Sequence, residues 1–182
     1  LLAKKLGKKI GDELNIPVYL YEKAAVRPER ENLADVRRGE YELIKKEIGN
    51  LQARDPDFGP KMLGPAGATA VGARDPLVAF NVNLKTDNLE IAKTIAKKVR
   101  FKDGGFKCVK ALGFPLKNKK MVQISMNLTN YNITPPHVVF DAIKDEAEKS
   151  GINVYESEII GLIPQEPLIK AAEHYLKIKN FD

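Results

Sequence analysis

Apolar residues in the first part of the chain follow a helical period, then a strand-like run, then a helical period again. A helix is predicted over residues 1–15, because leucine and isoleucine recur at intervals of four from Leu2 to Leu14. A strand is predicted over residues 16–25, IPVYLYEKAA, which is rich in β-branched and aromatic residues. A second helix is predicted over residues 31–48, ENLADVRRGEYELIKKEI, where the apolar residues return to helical spacing.

The next segment, residues 55–74, fits neither period. Its sequence, DPDFGPKMLGPAGATAVGAR, contains three prolines and four glycines and few charges. Proline and glycine in this density are typical of a constrained loop, so we predict a loop and a domain boundary here. The predicted domains are residues 1–75 and residues 76–182.

The pattern after this boundary alternates regularly between strands and helices. The predicted elements are a strand at 76–84, a helix at 86–100, strands at 106–113 and 121–129, a helix at 135–149 and a strand at 153–160. The order βαββαβ is typical of a ferredoxin-like, α+β two-layer sandwich, in which both helices cover one face of a four-stranded antiparallel sheet. A further helix is predicted in PLIKAAEHYLK, at residues 167–177.

Two of the predicted strands carry polar side chains at alternate positions. Gln123, Ser125 and Asn127 share one face of MVQISMNLTN, and Asn81 and Asn83 share one face of PLVAFNVNL. In a two-layer fold this is expected to be the face without helices. A solvated face is the simpler interpretation, but asparagine is depleted in strands, and a row of amides favours a surface that binds a ligand.

Composition and charge exclude several classes of protein. The chain has 182 residues, 43% of them hydrophobic, which is typical of a globular protein, and it has neither a long apolar run nor a signal-peptide pattern. We therefore expect a cytoplasmic protein without a membrane partner. The net charge of +6 is spread along the chain without tryptophan or an arginine-rich run, which argues against nucleic acid as a partner. One cysteine and two histidines are too few for a metal cluster or an internal disulfide.

Five stretches of the sequence resemble a known family. DPDFGP, GATAVGAR, LVAFNVNL, VQISMNLTNY and SEIIGLIP are similar, in the same order, to the formiminotransferase domain found in glutamate formimidoyltransferase and formiminotransferase-cyclodeaminase. The resemblance implies a pair of ferredoxin-like subdomains, of which residues 76–182 are the second. It also implies a transferase of histidine degradation and one-carbon metabolism, which moves the formimino group of N-formimino-L-glutamate to N5 of tetrahydrofolate.

The same resemblance implies a folate-binding loop between the subdomains. Its residues here would be Gly59, Pro60, Lys61, Met62, Leu63, Gly64, Pro65, Ala66 and Gly67. Folate and formimino-glutamate would then be the small-molecule partners, with Asn81, Asn83, Gln123, Ser125 and Asn127 as groups that bind them. The loop is about one residue shorter than in the animal enzymes of the family.

The sequence departs from the family in its first part. Residues 1–15 match the last helix of the first subdomain, so that most of that subdomain is expected to be missing, together with the family's catalytic histidine in an HPRxGA-type stretch. Neither His137 nor His174 matches that histidine. We therefore assign no catalytic residue, and we expect the chain alone to be inactive. It is expected to self-associate, or to pair with a complementing N-terminal subdomain.

Several alternatives stay open at this point. Arg74 could bind a glutamate carboxylate or form an ion pair with Asp75 or Glu158. Glu156 and Glu158 could act together in acid–base chemistry, although solvated side chains at the edge of the sheet are the favoured interpretation. The alternatives to a formimidoyltransferase are a non-catalytic folate- or amino-acid-binding module and a regulatory amino-acid-binding domain.

Overall fold

The chain divides into two compact units. The computed structural model describes residues 1–179. The first unit spans Leu1–Arg74, and the second begins at Asp75. No helix within the described residues is both long and apolar enough to cross a membrane.

The first unit contains a small parallel sheet covered by a helix. Its elements are α1 (Leu2–Leu14), β1 (Val18–Glu22), α2 (Leu33–Val36), α3 (Glu40–Glu47) and β2 (Thr69–Ala73), with 3-10 turns at Pro28–Arg30 and Gln52–Arg54. β1 and β2 pair in parallel, with Leu20 opposite Val71. Both side chains are buried, and they form a core with Val18 and Ala24 against which Phe58 packs.

α1 contacts this sheet through glycines. Gly7 and Gly11 are its buried residues, and a Cβ added to Gly11 would lie 2.6 Å from the backbone nitrogen of Gly59. Leu2 and Leu14, by contrast, are 81% and 62% exposed. The predicted helix is therefore confirmed, but of its apolar stripe only Ile10 packs against the core, and the closest contacts are made by the two glycines.

The predicted loop at residues 55–74 is wrong at its end, because Thr69–Ala73 forms β2. Gly72 lowers the strand propensity of this segment, but the neighbouring strand β1 leaves no room for a side chain at this position. Gly72 lies opposite Tyr21, and a Cβ added to Gly72 would lie 2.6 Å from the Tyr21 ring. An aromatic ring covering a strand glycine removes much of the cost of that glycine.

The predicted helix at residues 31–48 is also wrong as a single element. It is interrupted between α2 and α3, where Gly39 has φ of +75°, in the left-handed region. A side chain at Gly39 would be strained by this φ, and its Cβ would collide with Leu43. The glycine therefore marks the break in the helix.

The second unit has the predicted βαββαβ order, followed by a last helix. Its elements are β3 (Val78–Leu84), α4 (Leu89–Val99), β4 (Val109–Leu116), β5 (Met121–Leu128), α5 (Pro136–Glu148), β6 (Val154–Ile160) and α6 (Gln165–Leu176). The sheet has the order β4-β5-β3-β6, and each neighbouring pair of strands is antiparallel. The ferredoxin-like α+β fold is confirmed.

α4 and α5 cover one face of this sheet. The strands contribute Val82 and Ile124, and the helices contribute Ile95 and Ile143, to a core in which these side chains are at most 3% exposed. Full burial of one such aliphatic side chain contributes about 1.5–3 kcal/mol. This core is the main source of stability in the second unit.

β4 begins three residues later than predicted. The segment before it pairs elsewhere, since Phe106 forms a bridge with Arg100. Cys108 has φ of +61°, which takes the backbone out of the extended conformation just before Val109. Neither feature is visible in the alternation of apolar and polar residues.

α6 contacts α5 through aromatic and charged side chains. The rings of His137 and His174 stack with centroids 4.8 Å apart. Asp141 contacts two residues of α6: its carboxylate is 2.9 Å from His174 Nε2 and accepts a hydrogen bond of 2.8 Å from the Tyr175 hydroxyl. Burial, together with the nearby His174, lowers the pKa of His137.

The first prediction concerns the contact of α4 with β4. A Cβ at Gly113 would lie 2.6 Å from the backbone nitrogen of Lys93 and 2.7 Å from the carbonyl carbon of Ala92. Because these are helix backbone atoms, we expect Gly113→Ala to destabilise the second unit by about 1–3 kcal/mol in urea unfolding. Gly64→Ala, with no atom within 4 Å of the added Cβ, is the control. An equal effect of both substitutions would contradict the close contact.

The second prediction concerns the pH dependence of stability. A histidine with a lowered pKa contributes stability that is present above about pH 6.5 and is lost as the pH falls, because the unfolded chain binds the proton more readily. We expect His137→Phe, which keeps a ring against His174, to reduce the fall in thermal midpoint between about pH 7.5 and about pH 5.5. The charged and titratable groups around His137 are His174, Asp141 and Lys170. If the thermal midpoints of the wild type and of His137→Phe fell equally with pH, this role of His137 would be contradicted.

Candidate functional site

The sheet of the second unit carries hydrogen-bonding side chains on the face opposite α4 and α5. We call this the polar face, and its residues are Asn81, Asn83, Gln123, Ser125, Asn127, Glu156 and Glu158. The register aligns them in rows across three strands. Gln123, Asn83 and Glu156 form one row, and Ser125, Asn81 and Glu158 form the next. Sequence alternation alone places the five predicted amide and hydroxyl residues on this face.

Asn83 is held at the centre of a hydrogen-bonded row. Its side chain is fully buried. Its Nδ2 donates to Glu156 Oε1 at 3.1 Å, and its Oδ1 accepts from Gln123 Nε2 at 2.9 Å. Because both ends of the amide are satisfied by the protein, Asn83 contributes to the structure of the face.

The two glutamates of β6 belong to the same network. Gln123 Nε2 also lies 3.3 Å from Glu158 Oε2 and donates to it. Glu156 Oε1 is 3.5 Å from Lys119 Nζ. Glu156 and Glu158 lie on the edge strand β6, as expected, and both are half-buried. Beyond that expectation, both accept hydrogen bonds from the amide row. Alternation along β6 places these two glutamates on one face of the strand, and this was the sequence signal for their place beside the amide row.

Three residues of the polar face keep free hydrogen-bonding groups. Asn81 is only 8% exposed, and its side chain has no hydrogen-bond partner within residues 1–179. Ser125 is half-buried and Asn127 is exposed, and the side chains of both likewise lack a partner in the described part of the chain. The face thus offers an amide, a hydroxyl and a second amide to a ligand.

The predicted folate loop, residues 59–67, lies in the first unit before β2. It closes with a turn in which Gly67 N donates to Gly64 O at 3.0 Å, and Gly67 has φ of +69°. Gly64, Pro65 and Ala66 at the turn are exposed, as is Met62, at 68%. The turn therefore presents backbone and an apolar side chain to solvent.

The start of this loop is fixed by contacts within the protein. Gly59 has φ of +82°, and a Cβ there would lie 2.3 Å from the carbonyl oxygen of Ile16. Lys61 Nζ forms an ion pair of 2.7 Å with Asp55 Oδ2, and this hydrogen bond holds the pKa of the Asp55 carboxyl below its usual range. Gly59 and Lys61 are thus accounted for by the fold itself.

The other sequence candidates are not part of the polar face. Arg74 is exposed, and no ion pair of its side chain is found within residues 1–179. His137 begins α5, on the opposite side of the sheet, and His174 stacks on it. Within residues 1–179, no group of three or more His, Cys, Asp or Glu side chains is arranged to hold a metal ion.

Sequence reasoning missed a buried arginine in the first unit. Arg30 is 4% exposed, and its Nη1 is 2.8 Å from Asp57 Oδ2. Its Nη2 donates to the carbonyls of Ala53 and Asp55, and its guanidinium lies 5.0 Å from the centre of the Tyr19 ring. Arg30 forms one wall of a cleft of about 420 Å³. Local sequence gave no signal for it, because the carbonyls to which it donates lie 23 and 25 residues away.

Comparison with known proteins matches both units to the same family. Residues 79–181 match the model of the formiminotransferase domain, and residues 1–74 match that of its N-terminal subdomain. The chain is 51% identical over 183 residues to the glutamate formimidoyltransferase of Thermoplasma acidophilum and 47% identical over 182 residues to that of Streptococcus pyogenes. Each alignment covers 100% of this chain and 60% of the relative.

A less similar relative has a name that contains two activities. The chain is 39% identical over 181 residues to the formimidoyltransferase-cyclodeaminase of Mus musculus, an alignment that covers 96% of this chain and 33% of the relative. The chain thus spans 60% of the length of the two microbial enzymes and a third of the mouse protein. Since models of a single family match both units, the chain belongs to the formiminotransferase domain family.

Proposed function

We propose that the chain is part of a formimidoyltransferase that moves the formimino group of N-formimino-L-glutamate to tetrahydrofolate, a step of histidine degradation and one-carbon metabolism. The observation that carries the proposal is the polar face, which in a member of this family offers free hydrogen-bonding groups on a rigid sheet. The microbial relatives bear the name glutamate formimidoyltransferase, and this supports the same reaction here.

In this proposal the polar face binds the polar parts of the substrates. Asn81, Ser125 and Asn127 have no side-chain partner within residues 1–179, so each can exchange a hydrogen bond with a ligand. Amides and hydroxyls donate and accept but do not titrate near neutral pH. They therefore orient the substrates, and they are not the acid or the base of the reaction.

The loop at residues 59–67 is the proposed folate contact. A flat ring system needs close approach of backbone and apolar surface, and the open space around Gly64 and the exposed side chain of Met62 supply both. Arg74, exposed and without an ion pair among the described residues, is available for a glutamate carboxylate. Lys61 is a weaker candidate because Asp55 already holds its ammonium group.

The reaction also needs a group that moves protons. N5 of tetrahydrofolate attacks the amidine carbon and loses a proton, and the bond from that carbon to the glutamate nitrogen breaks as this nitrogen gains one. A neutral imidazole suits both transfers. His137 and His174 lie in α5 and α6, and α5 packs on the face opposite the polar face. The chain is therefore proposed to bind and orient substrates, and no acid or base is assigned to it.

The third prediction tests the polar face by separating binding from stability. In the native polypeptide that carries this chain, we expect Asn127→Ala to lower the affinity for folinic acid, or for N-formimino-L-glutamate, about tenfold, which corresponds to about 1.4 kcal/mol. The thermal midpoint should be almost unchanged, since Asn127 is exposed. Calorimetric titration and thermal melts measure the two effects.

Asn83→Ala is the contrasting variant. It would leave Gln123 and Glu156 without their buried partner, and we expect it to destabilise the second unit by about 1–3 kcal/mol. If Asn127→Ala left both affinities unchanged, or lowered stability as much as Asn83→Ala, the polar face would be a structural network only. Wild-type protein that bound both ligands but transferred nothing would favour the non-catalytic module.

A further inference from the structure

Glu158 is a half-buried carboxylate that has no cationic partner in the described part of the chain. It lies on the polar face opposite Asn81, and its Oε2 accepts a hydrogen bond of 3.3 Å from the neutral amide of Gln123. Within residues 1–179 it forms no ion pair, although the chain has 30 lysines and arginines. Glu156, two residues away on the same face, has Lys119 Nζ at 3.5 Å.

Asn81 provides a second, independent observation at the same place. Its side chain is more than nine-tenths buried, it lies between Ser125 and Glu158 in the register, and no residue of the described chain accepts from or donates to its amide. The polar atoms of this amide keep some access to solvent, so they are open to a ligand that reaches the polar face. Together, Asn81 and Glu158 offer neutral and charged oxygens to a ligand that carries N–H groups.

We propose that Glu158 and Asn81 bind the protonated amidine of N-formimino-L-glutamate, an inference that rests on the function proposed above. An amidine is a strong base, so its formimino group is a cation at neutral pH. Its planar N–C–N unit carries N–H groups on both nitrogens, and such a unit matches a carboxylate as a guanidinium does, through two parallel hydrogen bonds.

Glu158 is then a specificity-determining residue. The remaining lone pairs of its carboxylate accept from the amidinium, and Asn81 Oδ1 accepts a further N–H from the same group. N-formyl-L-glutamate has a carbonyl oxygen where the formimino group has its terminal nitrogen. It therefore lacks both the positive charge and the donors at that end. The site is expected to prefer the formimino compound over its formyl analogue.

The fourth prediction uses these two ligands with the native polypeptide that carries this chain. Calorimetry is expected to show that wild-type protein binds N-formimino-L-glutamate more tightly than N-formyl-L-glutamate. Glu158→Gln should weaken formimino binding about tenfold or more and change formyl binding by less than about twofold. The control is Glu148→Gln, which removes the same charge at the exposed end of α5, where Glu148 faces Lys144, and it should leave both affinities unchanged.

The ratio of the two affinities decides the outcome, because partial unfolding of a variant lowers both equally. An unchanged ratio in Glu158→Gln overturns the inference, and the proposed function stands if folinic acid binding and formimino transfer persist. Wild-type protein that binds neither folinic acid nor N-formimino-L-glutamate overturns the proposed function, and this inference with it. An equal loss in Glu148→Gln would assign the effect to net charge and would also overturn the role of Glu158.

Discussion

Packing of α4 and α5 on one face of the four-stranded sheet is the interaction on which the rest of the second unit depends. It requires apolar side chains at alternate strand positions, as in Val82 and Ile124. The intervening positions point to the other face and carry no share of this core. Polar residues can therefore collect on that face while the core stays intact, at the modest cost of their low strand propensity.

Some side chains of the polar face are hydrogen-bonded to each other, and others keep groups that a ligand could use. Asn83, Gln123 and Glu156 are joined by hydrogen bonds, and they hold the neighbouring strands in register. Asn81 and Glu158, in the adjacent row, have hydrogen-bonding groups that the described chain does not satisfy. A binding group on a strand, supported by satisfied neighbours, is held more accurately than one on a mobile loop. This arrangement suits a site that must orient substrates.

Sequence reasoning predicted the elements whose pattern is local. The alternation in β3 and β5 and the helical spacing of α4 and α5 were enough for the βαββαβ order and for the face that carries the amides. It failed where the cause lies elsewhere in the chain. β2 depends on the Tyr21 ring over Gly72, and the way in which the correctly predicted helix α1 packs depends on the close approach of Gly11 to Gly59.

The same limit applies to the site. Alternation places Asn81 and Asn83 on one face, but it cannot show that Asn83 reaches Glu156, 73 residues further along the chain. It also cannot show that, within residues 1–179, Glu158 has no cationic partner while Glu156 has Lys119. Pairing of this kind is decided by strand order and register, which bring distant segments together. The chemical class of the face was therefore predictable, and the role of each residue on it was not.

The most direct test of the ligand-binding polar face is the response of its side-chain amide signals in NMR spectra. Titration with N-formimino-L-glutamate should shift the signals of Asn81, Gln123 and Asn127 along one saturable curve. The amide of Asn88, which caps α4 on the other side of the sheet, should not move. Binding of the ligand with the Asn81 and Asn127 signals unmoved, or with shifts confined to the helices, would contradict the assignment of this face as the substrate site.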